Sequence, residues 1–260
     1  MDSLVWCGHY KSGCKLIAKC CDKEFACRFC HDNQDESHTM NRYEVEEIVC
    51  NKCKMRQPVS NSCINKNCDN KKFAQYYCGI CHLYSESHIT QIYHCNKCKI
   101  CRICSIGNTR KDYYHCDKCG GCILDKLKDT HKCVQDVLKG DCSICLDSIF
   151  LSKIPGRILP CGHVIHEKCL EGLLKNNKTS CPLCRKTILE GESLKSMITQ
   201  MDAIIQSHPL HPSLTADGGI LKKIKCNDCN FNDKVTYHPM GLKCGGCGGY
   251  NTIIDREHDD

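Results

Sequence analysis

The chain has 260 residues, of which 30 are Cys and 14 are His, with a formal net charge of +6. Aromatics are only 6% and mean hydropathy is -0.41, so large apolar side chains are too few to fill an ordinary core of this size. That excludes a conventional α/β enzyme with a deep apolar pocket and calls for another staple.

Disulfides and zinc both use cysteine. The chain opens Met1-Asp2-Ser3-Leu4-Val5-Trp6-Cys7, with no apolar leader of the secretory kind. No stretch approaches the roughly 18 to 20 apolar residues of a membrane span. C-x2-C pairs recur along the whole chain, often with His nearby. Four thiolate or imidazole ligands make a tetrahedral zinc site, and C-x2-C lets two thiolates reach one ion from a tight turn. The spacing therefore reads as zinc in a reducing compartment, cytoplasm or nucleus or both. The fold class expected is a tandem of small zinc-stabilised modules, irregular α+β.

Residues 1–72 carry Cys7, His9, Cys14, Cys20, Cys21, Cys27, Cys30, His31, His38, Cys50, Cys53, Cys63 and Cys68. Three four-ligand ions would use all but one of these, and spacing leaves open which of Cys14, Cys20 and Cys21 is surplus. Cys50, Cys53, Cys63 and Cys68 read as a separate four-thiolate knuckle.

Residues 73–135 carry Cys78 and Cys81 with His82, then Tyr93-His94-Cys95-x2-Cys98-x2-Cys101. Tyr114-His115-Cys116-x2-Cys119-x2-Cys122 follows, and His131-Lys132-Cys133 closes the segment. The aromatic-His-Cys-x2-Cys-x2-Cys unit thus occurs twice, and three interleaved sites would stack like a small rod. A set of ligands for them is Cys78, Cys81, His82, Cys95, Cys98, Cys101, His115, Cys116, Cys119, Cys122, His131 and Cys133. His94 is the alternative to one of them, and Cys104 is left as a spare thiol.

Residues 136–190 contain Cys142-x2-Cys145-x15-Cys161-x-His163-x2-His166-x2-Cys169-x11-Cys181-x2-Cys184, a core of 142–185 that meets every spacing of a RING finger. In the cross-brace order, Cys142, Cys145, His166 and Cys169 hold one zinc, and Cys161, His163, Cys181 and Cys184 hold the other. Leu194, Met197, Ile198, Met201, Ile204 and Ile205 then make an i, i+3, i+4, i+7 stripe within 191–212, predicting an amphipathic helix. Thr187 to Glu190 could extend it, and His208-Pro209 ends it. The stripe suits packing onto the RING or the ribbon, with a homodimer or partner seam as the alternative.

Residues 220–254 pair Cys226 and Cys229 with Cys244 and Cys247, with β-rich Lys234 to His238 between, which reads as a zinc ribbon. Gly245, Gly246, Gly248 and Gly249 are candidates for the positive φ of knuckle turns. His208, His211, His238 and His258 read as ordinary polar residues, and Asp255 to Asp260 as a charged, frayed tail.

Cys7-Gly8-His9-Tyr10 with Cys27-x2-Cys30-His31 resembles a CHY-type finger, and the next segment resembles a CTCHY-type finger. The order CHY, CTCHY, RING, ribbon resembles the RING and CHY zinc-finger-containing E3 ubiquitin ligase family along essentially the whole chain. The resemblance implies partners: a ubiquitin-conjugating enzyme, ubiquitin and a protein substrate, the last held by the N-terminal fingers and the ribbon. It implies that the RING presents a ubiquitin thioester to a substrate lysine with no covalent ubiquitin on this chain, rate coming from restricted orientation. By motif position, Ile144, Leu173, Leu174 and Pro182 would contact the conjugating enzyme. Arg185 takes the place of the linchpin cation that bridges enzyme and ubiquitin, since its planar fork suits two carbonyls. The competing readings are an inactive zinc scaffold or a nucleic-acid-binding protein. No C2H2 unit with a base-reading helix occurs. About nine zinc ions would take 28 cysteines and eight histidines as ligands. Deprotonating those thiols while adding nine dications turns +6 into about −4, which weakens the nucleic-acid reading.

Overall fold

The computed structural model describes residues 4–34, 37–211 and 219–255. Met1 to Ser3, Pro212, His258 and the rest of the acidic tail past Asp255 lie outside the described residues. The chain divides into two compact units, Met1–Cys116 with Cys122–Lys126, and Asp117–Gly121 with Leu127–Asp260. Regular structure is sparse, and most elements are short strands paired as hairpins.

The first unit is built on a four-stranded antiparallel sheet of Glu24–Phe25, Cys14–Ile17, Glu47–Cys50 and Arg56–Pro58 in that spatial order. Leu16 pairs with Phe25 on one side and Ile48 on the other. These three join Met40, Val45, Phe73 and Tyr84 in an apolar cluster of this unit. Cys14 belongs to it, 2% exposed and cross-strand from Cys50. Helix α1 (Arg28–Asp32) is a single turn that presents Cys30 and His31.

Two hairpins follow, Tyr76–Cys78 with Leu83–Ser85 and Ile92–Cys95 with Ile100–Ile103. In the second, Cys101 lies opposite His94 and Ile100 opposite Cys95. Successive strand residues point to opposite faces, so His94 and Cys101 share one face while Cys95 takes the other. A third hairpin, Tyr113–Cys116 with Gly121–Leu124, repeats the arrangement.

In the second unit the hairpin Gly156–Ile158 with Val164–His166 leads directly into helix α2 (Glu167–Lys175). Leu138, Ile149, Leu159, Val164, Ile165 and Ile188 are buried here. Gly156 lets Ile149 and Val164 close in, since a Cβ there would sit 2.8 and 3.0 Å from their methyls. Helix α3 (Gly191–Ser207) carries the predicted apolar stripe. Thr187 to Glu190 do not extend it: Thr187 bridges Ser180 and Glu190 is the extended N-cap. The stripe packs at least partly on the ribbon, where the Met201 methyl meets Gly241 and Asp202 bonds Lys243 Nζ at 2.6 Å and Tyr250 Oη at 2.5 Å. The ribbon is a three-stranded sheet, Asn232–Thr236, Leu221–Cys226 and Thr252–Ile254, with the middle segment central. Among the described residues no helix is long and apolar enough to cross a membrane.

Candidate metal centres and the RING surface

None of the 30 cysteines is in a disulfide. Most of them instead gather with histidines in sets whose donor atoms stand at the corners of a tetrahedron. With Zn–S of about 2.3 Å and Zn–N of about 2.0–2.1 Å, two sulfurs on one ion are about 3.8 Å apart and a sulfur–nitrogen pair about 3.5 Å.

Cys7, His9, Cys27 and Cys30 form the first set. Cys27 Sγ lies 3.8 Å from Cys7 Sγ and 3.6 Å from Cys30 Sγ, and His9 Nδ1 is 3.6 and 3.5 Å from Cys27 and Cys30. Cys50, Cys53, Cys63 and Cys68 form another, with sulfur pairs at 3.9 and 3.5 Å. Of the quartet Cys20, Cys21, His31 and His38, Cys20 Sγ is 3.2 Å from His31 Nε2, and the His31 and His38 rings are 4.9 Å apart. Cys21 follows Cys20 in the same turn. Cys14 stays in the apolar core, which makes it the surplus member of the early trio.

Sequence reasoning missed Asp32. Its Oδ1 accepts from His31 Nδ1 at 2.9 Å and from the Met40 backbone N–H at 2.8 Å, while Oδ2 accepts from Arg28 at 2.8 Å. A carboxylate behind an imidazole fixes its tautomer and turns Nε2, as a lone pair, toward a metal.

The following hairpins correct one assignment. Cys78, Cys81, His94 and Cys101 form one set, with His94 Nδ1 at 3.6, 3.4 and 3.9 Å from the three sulfurs. His82 is not in it: its Nδ1–H donates to the Arg42 carbonyl at 2.6 Å. Cys95, Cys98, His115 and Cys122 form the next, with His115 Nδ1 3.7 and 3.2 Å from Cys95 and Cys98. Cys116, Cys119, His131 and Cys133 form a third. There His131 Nδ1–H donates to the Leu127 carbonyl at 2.7 Å, leaving Nε2 to face Cys133 at 2.8 Å. Within each His-Cys dipeptide the His serves the upstream set and the Cys the downstream one. Strand alternation dictates this, and the internal repeat itself was the available signal, because His94 stands where His115 does. Cys104, 1% exposed, is in none of the sets named here.

In the RING, Cys145 Sγ is 3.2 Å from His166 Nδ1, and the Cys169 thiol meets those of Cys142 and Cys145. His163 Nδ1 is 3.4 Å from Cys161 and 3.6 Å from Cys181, and Cys161 also meets Cys184. The cross-brace follows from local structure: the hairpin ends at His166, and Cys169 lies in the first turn of α2. In the ribbon, Cys226–Cys247 and Cys229–Cys244 are each 3.6 Å apart. Burial first, then adjacent thiols, push Cys161, Cys169 and Cys247 up to about 12. Crowded thiolates need a cation, and a divalent zinc with four protein ligands suits every set. Zinc bound by four such ligands would supply folding free energy and have no position open for catalysis.

Eight of the C-x2-C turns share one backbone form. The residue after the second Cys has positive φ at Lys54, His82, Lys99, Gly120, Leu146, Arg185, Asn230 and Gly248, between 45° and 75°. In five of them its N–H donates to the first cysteine's carbonyl at 2.8–3.0 Å, while that cysteine's N–H donates to the next carbonyl on at 2.8–3.0 Å. Of the ribbon glycines only Gly248 carries this φ. Gly246 makes room for the Phe231 ring, 2.9 Å from where a Cβ would lie, and a Cβ at Gly245 would displace the Asp233 carboxylate, 2.5 Å away.

The RING exposes apolar side chains on its turns and helix. Ile144 is 40% exposed, Leu174 39% and Leu183 58%, Pro182 is exposed, and Leu173 is half-buried. Leu183, beside Pro182, was not singled out from sequence. Arg185 is exposed, and its guanidinium makes no hydrogen bond or ion pair among the described residues.

A chain of small modules closed on tetrahedral Cys/His sets, two of those sets cross-braced in one module, is a tandem zinc-finger protein containing a RING. Family models agree: CHY zinc finger over residues 7–76, Ring finger domain over 140–185 and zinc-ribbon over 193–253. The chain is similar to Zinc finger protein BRUTUS of Arabidopsis thaliana, 37% identical over 95% of this chain and 19% of that protein. It is similar to E3 ubiquitin-protein ligase SRFP1 of Oryza sativa subsp. japonica, 34% identical over 95% of this chain and 90% of that protein. E3 ubiquitin-protein ligase RZFP34 of Arabidopsis thaliana is 31% identical over 95% of this chain and 83% of its own length. The chain thus spans about a fifth of the BRUTUS-type relatives and most of the ligases of its own size. It belongs to the RING and CHY zinc-finger-containing family of E3 ubiquitin ligases.

Proposed function

We propose that this chain is a RING-type E3 ubiquitin-protein ligase that binds a ubiquitin-charged conjugating enzyme and promotes transfer to substrate lysines. The carrying observation is the RING surface itself: Ile144, Leu174, Pro182 and Leu183 stand exposed around a cross-brace, with the Arg185 guanidinium, unpartnered among the described residues, beyond the last ligand. In this reading the apolar group docks the conjugating enzyme, and Arg185 bridges it to ubiquitin carbonyls, restricting the tethered thioester to a reactive orientation.

The chain supplies no nucleophile of its own. The two thiols left over from the ligand sets, Cys14 and Cys104, are 2% and 1% exposed, whereas a reactive thiolate must be reachable. About nine zinc ions hold the modules, with His94 in place of His82. The CHY and CTCHY modules and the ribbon bind the protein substrate, and the thiolate sites suit the cytoplasm or nucleus. Single-turnover discharge of ubiquitin from a charged conjugating enzyme tests the reading. Arg185→Ala should slow discharge with little change in binding of the uncharged enzyme, and a proportional fall in both would argue for simple contact or misfolding.

A further inference from the structure

The residues just after the RING are gripped by the ribbon. Asp228, inside the first ribbon knuckle, accepts the Thr187 backbone N–H on Oδ1 at 2.7 Å and the Thr187 hydroxyl on Oδ2 at 2.8 Å. Its backbone carbonyl accepts Lys186 Nζ at 3.1 Å. Asn251, which enters the last ribbon strand, points its Nδ2 at the Arg185 carbonyl at 2.8 Å and at Asp228 Oδ1 at 2.9 Å, with Thr187 Oγ1 3.2 Å away. Asn227 Nδ2 donates to Asn251 Oδ1 at 2.9 Å, which settles the amide orientation. An amide nitrogen has two hydrogens, and the two shorter contacts use both.

Arg185 is therefore held at every backbone atom that could turn it. Its N–H is tied to the Cys181 carbonyl at 2.8 Å, its φ is +62° in the knuckle, and its carbonyl is tied to Asn251. Its guanidinium has no partner among the described residues. The N–H bond and the positive φ belong to the knuckle form itself; the tie of the carbonyl to Asn251 is the restraint that the ribbon adds.

We propose that Asp228 and Asn251 of the ribbon are positioning residues for ubiquitin transfer, acting through the Arg185 backbone. This rests on the reading of Arg185 as the cation that bridges conjugating enzyme and ubiquitin. It gives the ribbon a second role besides holding a target. The guanidinium stands about 6 Å from its Cα, so a backbone swing of about 10° carries it about 1 Å, a scale of misplacement that can cost up to about 100-fold in rate.

The test uses the full zinc-loaded chain, a conjugating enzyme that it activates, and free lysine as acceptor, so that no protein target is involved. Asn251→Asp is isosteric and removes both donors, and Asp228→Ala removes the acceptor. Each should slow discharge at saturating ligase by about three- to tenfold, with zinc content intact and affinity for the uncharged enzyme unchanged. Thr187→Val should behave alike, and Thr187→Ser, which keeps the hydroxyl, should retain the rate. In an Arg185→Ala background the same substitutions should add nothing, because the residue they act through is gone. Wild-type rates in zinc-replete Asn251→Asp and Asp228→Ala, with Arg185→Ala slow, would overturn the clamp and leave the ligase reading standing. The same fold-slowing in both backgrounds would also overturn it. A wild-type rate for Arg185→Ala itself would remove the bridging role and the clamp's purpose together.

Discussion

Replacing His94 and replacing His82 should have opposite consequences, although both histidines stand beside C-x2-C cysteines. His94 Nδ1 lies within 3.4–3.9 Å of Cys78, Cys81 and Cys101. A structural zinc site contributes on the order of 10–16 kcal/mol in small finger peptides. Dividing that over four ligands, His94→Ala costs about 3 kcal/mol, or about two orders of magnitude in zinc affinity at that site. His82→Gly loses one hydrogen bond, to the Arg42 carbonyl, worth about 0.5–1.5 kcal/mol. It also relieves a non-glycine residue at φ 45°, which returns about 1–2 kcal/mol. The two nearly cancel, so His82→Gly should leave stability within about 1 kcal/mol of wild type. Competition with a colorimetric chelator, followed by counting retained zinc by mass spectrometry, separates the cases. His94→Ala should surrender one ion early and His82→Gly none. Loss of an ion from His82→Gly with full retention in His94→Ala would refute the strand-face argument for the whole repeat.

Asp32→Ala should weaken the zinc held with Cys20 and His31 by about 10- to 100-fold, as loss of an outer-shell carboxylate does elsewhere, while other sites release zinc as in wild type. Gly162→Ala should destabilise the RING, because a Cβ there would lie 2.8 Å from Val134 and 3.2 Å from the Lys132 carbonyl at φ +93°; a lowered melting temperature with zinc present is the readout. Ile144→Ala should abolish self-ubiquitination while zinc content is kept, and unchanged chain formation would sink the docking assignment. Cys104→Ser should retain every zinc ion, and native alkylation of the wild type should spare Cys104, since it is 1% exposed.

Ligand spacing makes much of this molecule legible from its sequence. The eight RING positions and the four ribbon cysteines were readable because C-x2-C turns are local, and locality survives whatever the rest of the chain does. The amphipathic helix was readable from its period, though its start was not: Thr187 looked like helix but is held in an extended bridge by Asp228. His94 stood only as the alternative ligand because proximity in sequence favoured His82, whereas membership depends on which strand face a residue takes. Cys14 could not be told from Cys20 and Cys21 by spacing, since its exclusion comes from burial beside Leu16 and Ile48 in the sheet. Asp32, Asp228 and Asn251 carry no motif at all. Each acts across a tertiary contact, or on a histidine that only folding orients, so no local pattern announces it.

The most direct test of the account is single-turnover discharge of ubiquitin from a panel of charged conjugating enzymes to free lysine, with and without the zinc-loaded chain. The account predicts faster discharge from at least one enzyme, loss of that gain in Ile144→Ala, and slowing in Arg185→Ala with uncharged enzyme still bound. A zinc-replete chain that binds conjugating enzymes yet accelerates none of them would contradict it and leave an inert scaffold.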